Sequence, residues 1–176
     1  MPWYALYVET GKEDAVSKNL NKLLKEYPLQ CFIPKKIVPE YRDGTIHDSV
    51  CVLFPGYIFI RTEMNADLYY NLKQVPDLYY LVNCGEHKKD KSCGYYSIIS
   101  EEEMNWIYKF TGKQGIVDYS NINIINKKVE VVSGPLKGKE GLIKKVDKRK
   151  RRAKIEVSFL NKTSLIDVGI HILSIR

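Results

Sequence analysis

Residues 129–143 read VEVVSGPLKGKEGLI. Two apolar, β-branched stretches are separated by Ser133-Gly134-Pro135, with Gly138 and Gly141 following. Pro fixes φ at one position of a tight turn. Glycine permits backbone geometries and close approaches that a Cβ forbids. Taken alone, the stretch is a hairpin. Downstream, Ala153 to Phe159 alternates, and Leu165 to Val168 and Ile170 to Ile175 are apolar runs. Short strands at close spacing, punctuated by Gly and Pro, predict a small β-barrel.

Inside this barrel pattern lies a dense basic run. Lys144, Lys145, Lys148, Arg149, Lys150, Arg151, Arg152 and Lys154 surround the single acid Asp147. A charge run is most often a solvated face, but the distribution of charge argues for more. Residues 123–176 carry 14 Lys or Arg against 5 Asp or Glu, a net of +9, whereas residues 1–122 carry 14 against 16, a net of −2. A basic module joined to a slightly acidic one suggests that one part meets a polyanion and the other does something else. A hairpin tip on a barrel projects into solvent. There it can lay several guanidinium groups along a phosphate groove, with Arg gripping phosphate or guanine bidentately. RNA, with its deep groove and irregular stems, rewards narrow basic projections of this kind. Lys137 and Lys139 are positioned to widen the patch.

The first two thirds of the chain follow a different pattern. Trp3 to Val8 is a strand of aromatic and apolar residues. Thr10-Gly11-Lys12-Glu13 matches a capping box, and Ala15, Val16, Leu20, Leu23, Leu24 and Tyr27 recur at helical spacing up to Pro28. Cys31 to Val38 is extended, and Asp43-Gly44 is a hairpin dipeptide. Val50 to Phe54 and Tyr57 to Arg61 are apolar runs joined by Pro55-Gly56. Asn65 caps a short helix through Leu72, and Tyr79 to Val82 is a strand. Asn83 to Gly94 is polar and reads as a surface loop. Ser100-Glu101-Glu102-Glu103 opens a helix that Gly112 stops. Residues 113–122 show no firm period and read as a linker.

The cysteines Cys31, Cys51, Cys84 and Cys93 fit no metal-ligand spacing, and His47, His87 and His171 lie far apart. No catalytic constellation announces itself, so no enzyme, metal or cofactor is expected. No apolar window spans a bilayer and no signal peptide is evident, so the expected compartment is the cytoplasm, with no membrane partner.

Residues 129–143 resemble the KOW motif of transcription and ribosomal proteins. "LFPGYIFIR" at 53–61, taken with "WYALYVETGKEDAV" at 3–16, resembles the NGN domain of NusG-type elongation factors. Both lie in that family's order. The resemblance implies an α+β chain: an N-terminal α/β plait (antiparallel sheet with helices, NGN) over 1–112, a linker over 113–122 and a small SH3-like β-barrel (KOW) over 123–176. It implies that an apolar NGN face docks on the clamp helices of the RNA polymerase largest subunit and suppresses pausing. Phe54 and Tyr57 carry over to that face, with Tyr7 and Trp3 as neighbours, Trp3 fitting the core equally well.

The chain departs from the family at three places. Gln74-Val75 stands where many members have a polar pair that in some touches non-template DNA. Phe159-Leu160-Asn161-Lys162 replaces an Ile-Phe-Gly-Arg-like motif used to bind ribosomal protein or Rho, which leaves those partners open. The basic run replaces an acidic or mixed turn. This last feature, with the start at Trp3, resembles the LoaP branch of NusG paralogues, antiterminators thought to read an RNA hairpin in a transcript leader. The expectation is a monomer bound to polymerase and nascent RNA. The alternative is a housekeeping factor that links polymerase to ribosome or Rho through its KOW domain.

Overall fold

The computed structural model describes residues 1–83, 86–90 and 94–176, with backbone alone at 86–90 and 94–96. In chain order the elements are β1 Trp3–Val8, α1 Glu13–Leu23, β2 Gln30–Phe32, β3 Lys35–Arg42, β4 Thr45–Val52, β5 Tyr57–Arg61, α2 Ala66–Leu72, β6 Leu78–Leu81 and β7 Glu86–Asp90. Then come β8 Gly94–Ile98, α3 Glu101–Thr111, β9 Ile116–Val117, β10 Ser120–Ile125, β11 Lys128–Ser133, β12 Ile143–Asp147, β13 Arg152–Phe159 and β14 Lys162–Ile175. The chain divides into two compact units, residues 1–33 with 54–105, and residues 34–53 with 106–176.

The first unit is an α/β plait. Its sheet runs β2-β5-β1-β6, with β1 antiparallel to β5 and β6. Side chains alternate across a strand. Tyr4, Leu6 and Val8 of β1 and Ile58 and Ile60 of β5 therefore share one face, against Val16 and Leu20 of α1 and Leu68 and Leu72 of α2. All nine are nearly inaccessible, and burying each side chain contributes roughly 1.5–3 kcal/mol. The opposite face carries Trp3, Tyr7, Tyr57 and Phe59.

The sequence-level capping box at Thr10 does not form. Lys12 holds the N-cap position without a side-chain bond. Glu13, only 3 % exposed, instead accepts from Gly11 N (2.9 Å) and from the buried Gly56 N (2.7 Å). One carboxylate thus ties the start of α1 to the Pro55-Gly56 turn. Gly56 has φ +85, and a Cβ there would lie 3.0 Å from the Tyr7 ring. Glu13→Ala strands both amides, and a buried unsatisfied group costs about 1–3 kcal/mol. The expected result is a loss of about 2 kcal/mol in urea unfolding, with Glu13→Gln, which keeps an oxygen acceptor, losing less.

The other caps follow the sequence. Leu68 N donates to Asn65 Oδ1 at 2.8 Å, and Glu103 N donates to Ser100 Oγ at 3.2 Å. Helix α1 stops at Leu23, with turns between it and Tyr27, the position ahead of Pro28 where helical geometry is disfavoured. The loop expected over Asn83 to Gly94 contains a strand: β7 pairs antiparallel with β8. A charged segment forms a strand when a neighbour rich in β-formers, here Tyr95, Tyr96 and Ile98, offers its backbone. Cys84 and Cys93 lie outside the described residues, while Cys31 and Cys51 are free and half-buried. Burial raises the Cys31 thiol above its ordinary pKa, and a hydrogen bond with Ser17 opposes the rise.

The second unit is a five-stranded sheet, β11-β10-β14-β13-β12, together with a three-stranded one, β4-β3-β9. Strand β10 runs parallel to β14, and the remaining pairs of the five-stranded sheet are antiparallel. Strand β13 alternates buried and exposed along its length, as the sequence predicts. Asp43 (φ 51) and Gly44 (φ 76) close the β3–β4 hairpin, the left-handed pair that suits a two-residue turn.

Two readings of this region change. Residues 113–122 are not featureless. Strand β9 pairs in parallel with Lys35 and Lys36 of β3, and β10 begins at Ser120. Gly169 does not separate two strands either, because β14 runs through it unbroken. Its missing side chain accommodates Tyr119: a Cβ would lie 2.6 Å from that ring and 2.8 Å from the Ile37 carbonyl oxygen. Glycine in a strand interior marks such close approach.

Candidate nucleic-acid interface

Strands β12 and β13 meet in a hairpin whose tip is Lys148-Arg149-Lys150-Arg151. All four side chains are exposed. The one acid in the run shapes the turn: Asp147 Oδ1 accepts from Lys150 N at 2.8 Å, an Asx-type closure. Arg151 takes the left-handed conformation, φ 51, on the way into β13. Beneath the tip, Arg149 O accepts from the Tyr41 hydroxyl at 3.5 Å.

The eight basic residues singled out from the sequence are not equivalent. Arg152 turns away from the tip. Its Nε and Nη2 donate to the Pro39 carbonyl at 3.1 and 2.6 Å, so this guanidinium fastens β13 to β3. Lys144 pairs with Glu156 at 3.1 Å and Lys154 with Asp167 at 3.7 Å. Lys145 is exposed and stands directly opposite Lys154 in register. Like charges in that relation repel, and an anion laid across them relieves the repulsion. Nearby, burial lowers the Lys36 pKa, with Asp167 opposing the shift.

Tyr119 supports this side of the unit. Its hydroxyl donates to Asp48 Oδ1 at 2.6 Å, and its ring stacks on His171 at 4.3 Å. Burial first, and then the bond to Asp48, raise the phenol above its ordinary pKa, so it stays a donor.

The aromatic face of the first unit also sorts its residues. Phe54 and Trp3 are 8 % and 2 % exposed. Phe54 packs edge-on to Phe59 at 6.2 Å, and Trp3 sits edge-on to Phe32 with the Arg61 guanidinium over its ring. Tyr7 and Tyr57 are half-buried neighbours at 5.4 Å. Around Tyr7 stand Tyr80, stacked at 5.1 Å, and Tyr79 at 5.9 Å, each more than half exposed. The accessible aromatic cluster is therefore Tyr7, Tyr57, Tyr79 and Tyr80. In sequence Tyr79 and Tyr80 show only as strand residues. The available signal was a Tyr-Tyr pair in a strand, which puts one phenol on each face unless the ladder slips, and the β1–β6 register shifts between Tyr7 and Val8.

Among the described residues, no three His, Cys, Asp or Glu side chains gather as a metal site, and no helix is long and apolar enough to cross a membrane.

An α/β plait bearing an exposed tyrosine cluster, followed by a barrel with a cationic hairpin tip, defines a two-module α+β protein. The family model described as "Transcription termination factor nusG" matches residues 1–108, and the KOW motif matches 125–158. The chain belongs to the NusG family, whose members are transcription factors. It is 23 % identical over 177 residues to the transcription termination/antitermination protein NusG of Helicobacter pylori strain J99, covering 96 % of this chain and 94 % of that one. It is 24 % identical over 173 residues to the same-named protein of Staphylococcus aureus strain Mu50, covering 94 % and 91 %. A solved Thermotoga maritima NusG chain is similar in fold, with a TM-score of 0.55 at 21 % identity over 96 % of this chain and 93 % of that one.

Proposed function

We propose that this chain is a specialised antiterminator of the LoaP kind, working as a monomer in the cytoplasm. Its NGN segment, residues 1–112, docks on the clamp helices of the RNA polymerase largest subunit through the tyrosine cluster and suppresses pausing and termination. Its KOW segment, 123–176, reached through 113–122, takes hold of a hairpin in the nascent transcript. The observation that carries this reading is the tip 148–151: four consecutive cationic side chains, all exposed, on a turn that Asp147 closes. A tip of that shape and charge suits a phosphate-lined groove.

The turn Phe159-Leu160-Asn161-Lys162 supports RNA over a ribosomal partner. Leu160 (φ 52) and Asn161 (φ 57) form a tight left-handed pair, and both Phe159 and Leu160 are buried at 7 % exposure, so neither is offered to a protein surface. The test immobilises the full chain and passes over it cellular RNA together with ribosomal proteins and Rho. Structured RNA is expected to be retained and eluted by salt. Retention of a ribosomal protein or of Rho in place of RNA would assign the housekeeping role instead.

A further inference from the structure

Beside the cationic tip lies an open groove of about 650 Å³, formed where the β10–β11 turn faces β12. This is the size range of clefts that take a small organic group. Its floor is apolar: Ile124, Val129, Ile143 and Val146. Its rim is cationic: Lys127 and Lys128 from one side, Lys144, Lys145 and Lys148 from the other. Lys127 and Lys128 are remote in sequence from the basic run. They reach the groove because Asn126 (φ 48) and Lys127 (φ 64) make a tight left-handed turn that pairs Ile125 with Lys128. The rim also contains one carboxylate, Glu140. Hydrogen bonds from its own amide hold its pKa below the usual range; burial opposes this, and bonds from Gly138 and Val131 add to the lowering. Lys144 also meets Glu156.

A uniform phosphate-binding surface has no use for an apolar floor. A duplex keeps its base faces stacked inside, so only phosphates, 2′-hydroxyls and groove edges reach a protein surface. An unpaired strand exposes base faces and base edges as well. Lysines along a rim follow the backbone of such a strand, and apolar side chains beneath take the base faces. Glu140 repels phosphate at its place on the rim and accepts from an exocyclic base amine, the pairing a carboxylate makes with cytosine N4.

The geometry points to a second RNA subsite, in which the groove between the β10–β11 turn and β12 holds unpaired nucleotides flanking the stem that the 148–151 tip grips. This rests on the RNA-binding reading above and adds its partner's form: a stem with a single-stranded extension. The subsite uses Lys127 and Lys128, which the tip does not need.

The test uses the full chain and two probes, a blunt stem-loop of about 12 base pairs and the same stem-loop with a tail of about six cytidines, a length within the span of a single-strand groove. The tailed probe is expected to bind more tightly. Lys127→Ala with Lys128→Ala removes that advantage and leaves the blunt probe's affinity within about twofold. Single strands contribute about 0.7 per phosphate neutralised to the salt slope. Without these two lysines the slope for the tailed probe falls by about 1.4, roughly a sevenfold change between about 50 and 200 mM salt. Both lysines are exposed, so the fold should persist, and circular dichroism checks that it does. Equal binding of both probes by the unmodified chain overturns the subsite while leaving the tip reading intact. Undiminished tail-dependent binding by the variant overturns it too and leaves the groove to an acidic protein partner. Equal weakening of both probes reduces the two lysines to long-range charge. If neither probe binds the unmodified chain, the RNA-binding reading fails first.

Discussion

Replacing Lys148, Arg149, Lys150 and Arg151 together with alanine should abolish hairpin binding at physiological salt. All four are exposed at the β12–β13 tip, and none is needed to close the turn, since Asp147 accepts from the backbone amide of residue 150. Each phosphate that a side chain neutralises on a duplex contributes about 0.9 to the slope of log K against log salt, so the four together contribute about 3.6. Across about 50–200 mM salt that is an affinity change of about a hundredfold attributable to the tip alone. Arg152 must be left in place. Its guanidinium donates twice to the Pro39 carbonyl, so Arg152→Ala strands a carbonyl and weakens the packing of β13 on β3. Weaker RNA binding by that variant would confound unfolding with the removal of a phosphate ligand. The measurement is a salt titration of hairpin affinity for the four-alanine variant, alongside its thermal melt. An unchanged slope would show that the tip is a solvated face.

The second large effect concerns polymerase. Tyr57→Ala with Tyr80→Ala should weaken binding to RNA polymerase by about thirtyfold for each ring, several hundredfold together. Aromatic anchors at the centre of an interface each cost about 2 kcal/mol or more when truncated, and about 1.4 kcal/mol is a factor of ten. Tyr80 is 54 % exposed and stacks on Tyr7, which in turn meets Tyr57 edge-on. Truncating an exposed ring away from the core changes stability by about 0.5 kcal/mol or less, so Tyr80 is the cleaner of the two probes. Phe54 is a poor probe of the same surface. It is buried against Phe59, and removing a buried Phe costs about 3–5 kcal/mol in stability. Loss of polymerase binding in the double variant with an unchanged melting temperature supports the docking face. Full binding would place the docking site elsewhere on the plait.

What could be read from the residues was local. The alternation of β13, the Asp43-Gly44 hairpin, the Asn65 cap and the apolar runs of β1 and β5 each depend on neighbours a few positions away, and the structure contains all of them. What could not be read depends on distant partners. Arg152 looks like one more charge in the basic run until the Pro39 carbonyl, 113 positions earlier, is placed against it. Gly169 looks like a break between strands until Tyr119 is seen lying over it. Glu13 looks like half of a capping box until Gly56 supplies the second amide. Trp3, Tyr7, Phe54 and Tyr57 form one aromatic set in sequence, and only burial separates two core rings from two accessible ones. Charge density is the most legible signal of the proposed interface, because side chains at a hairpin tip are exposed whatever surrounds the barrel. Lys127 and Lys128 are not legible in sequence as walls of the groove, since a wall formed by two separate turns has no signature in either turn.

On the proposed mechanism the transcribing enzyme and its emerging RNA are held by different parts of one chain, with the 148–151 tip as the part that touches RNA. Ultraviolet crosslinking of the protein to RNA in living cells, followed by sequencing of the RNA and mass spectrometry of the crosslinked peptides, tests it directly. Reads are expected to concentrate on hairpins near the start of a few transcripts, with the crosslinked peptides spanning residues 148–151. Crosslinks scattered over all transcripts, or peptides drawn only from the plait, would contradict it.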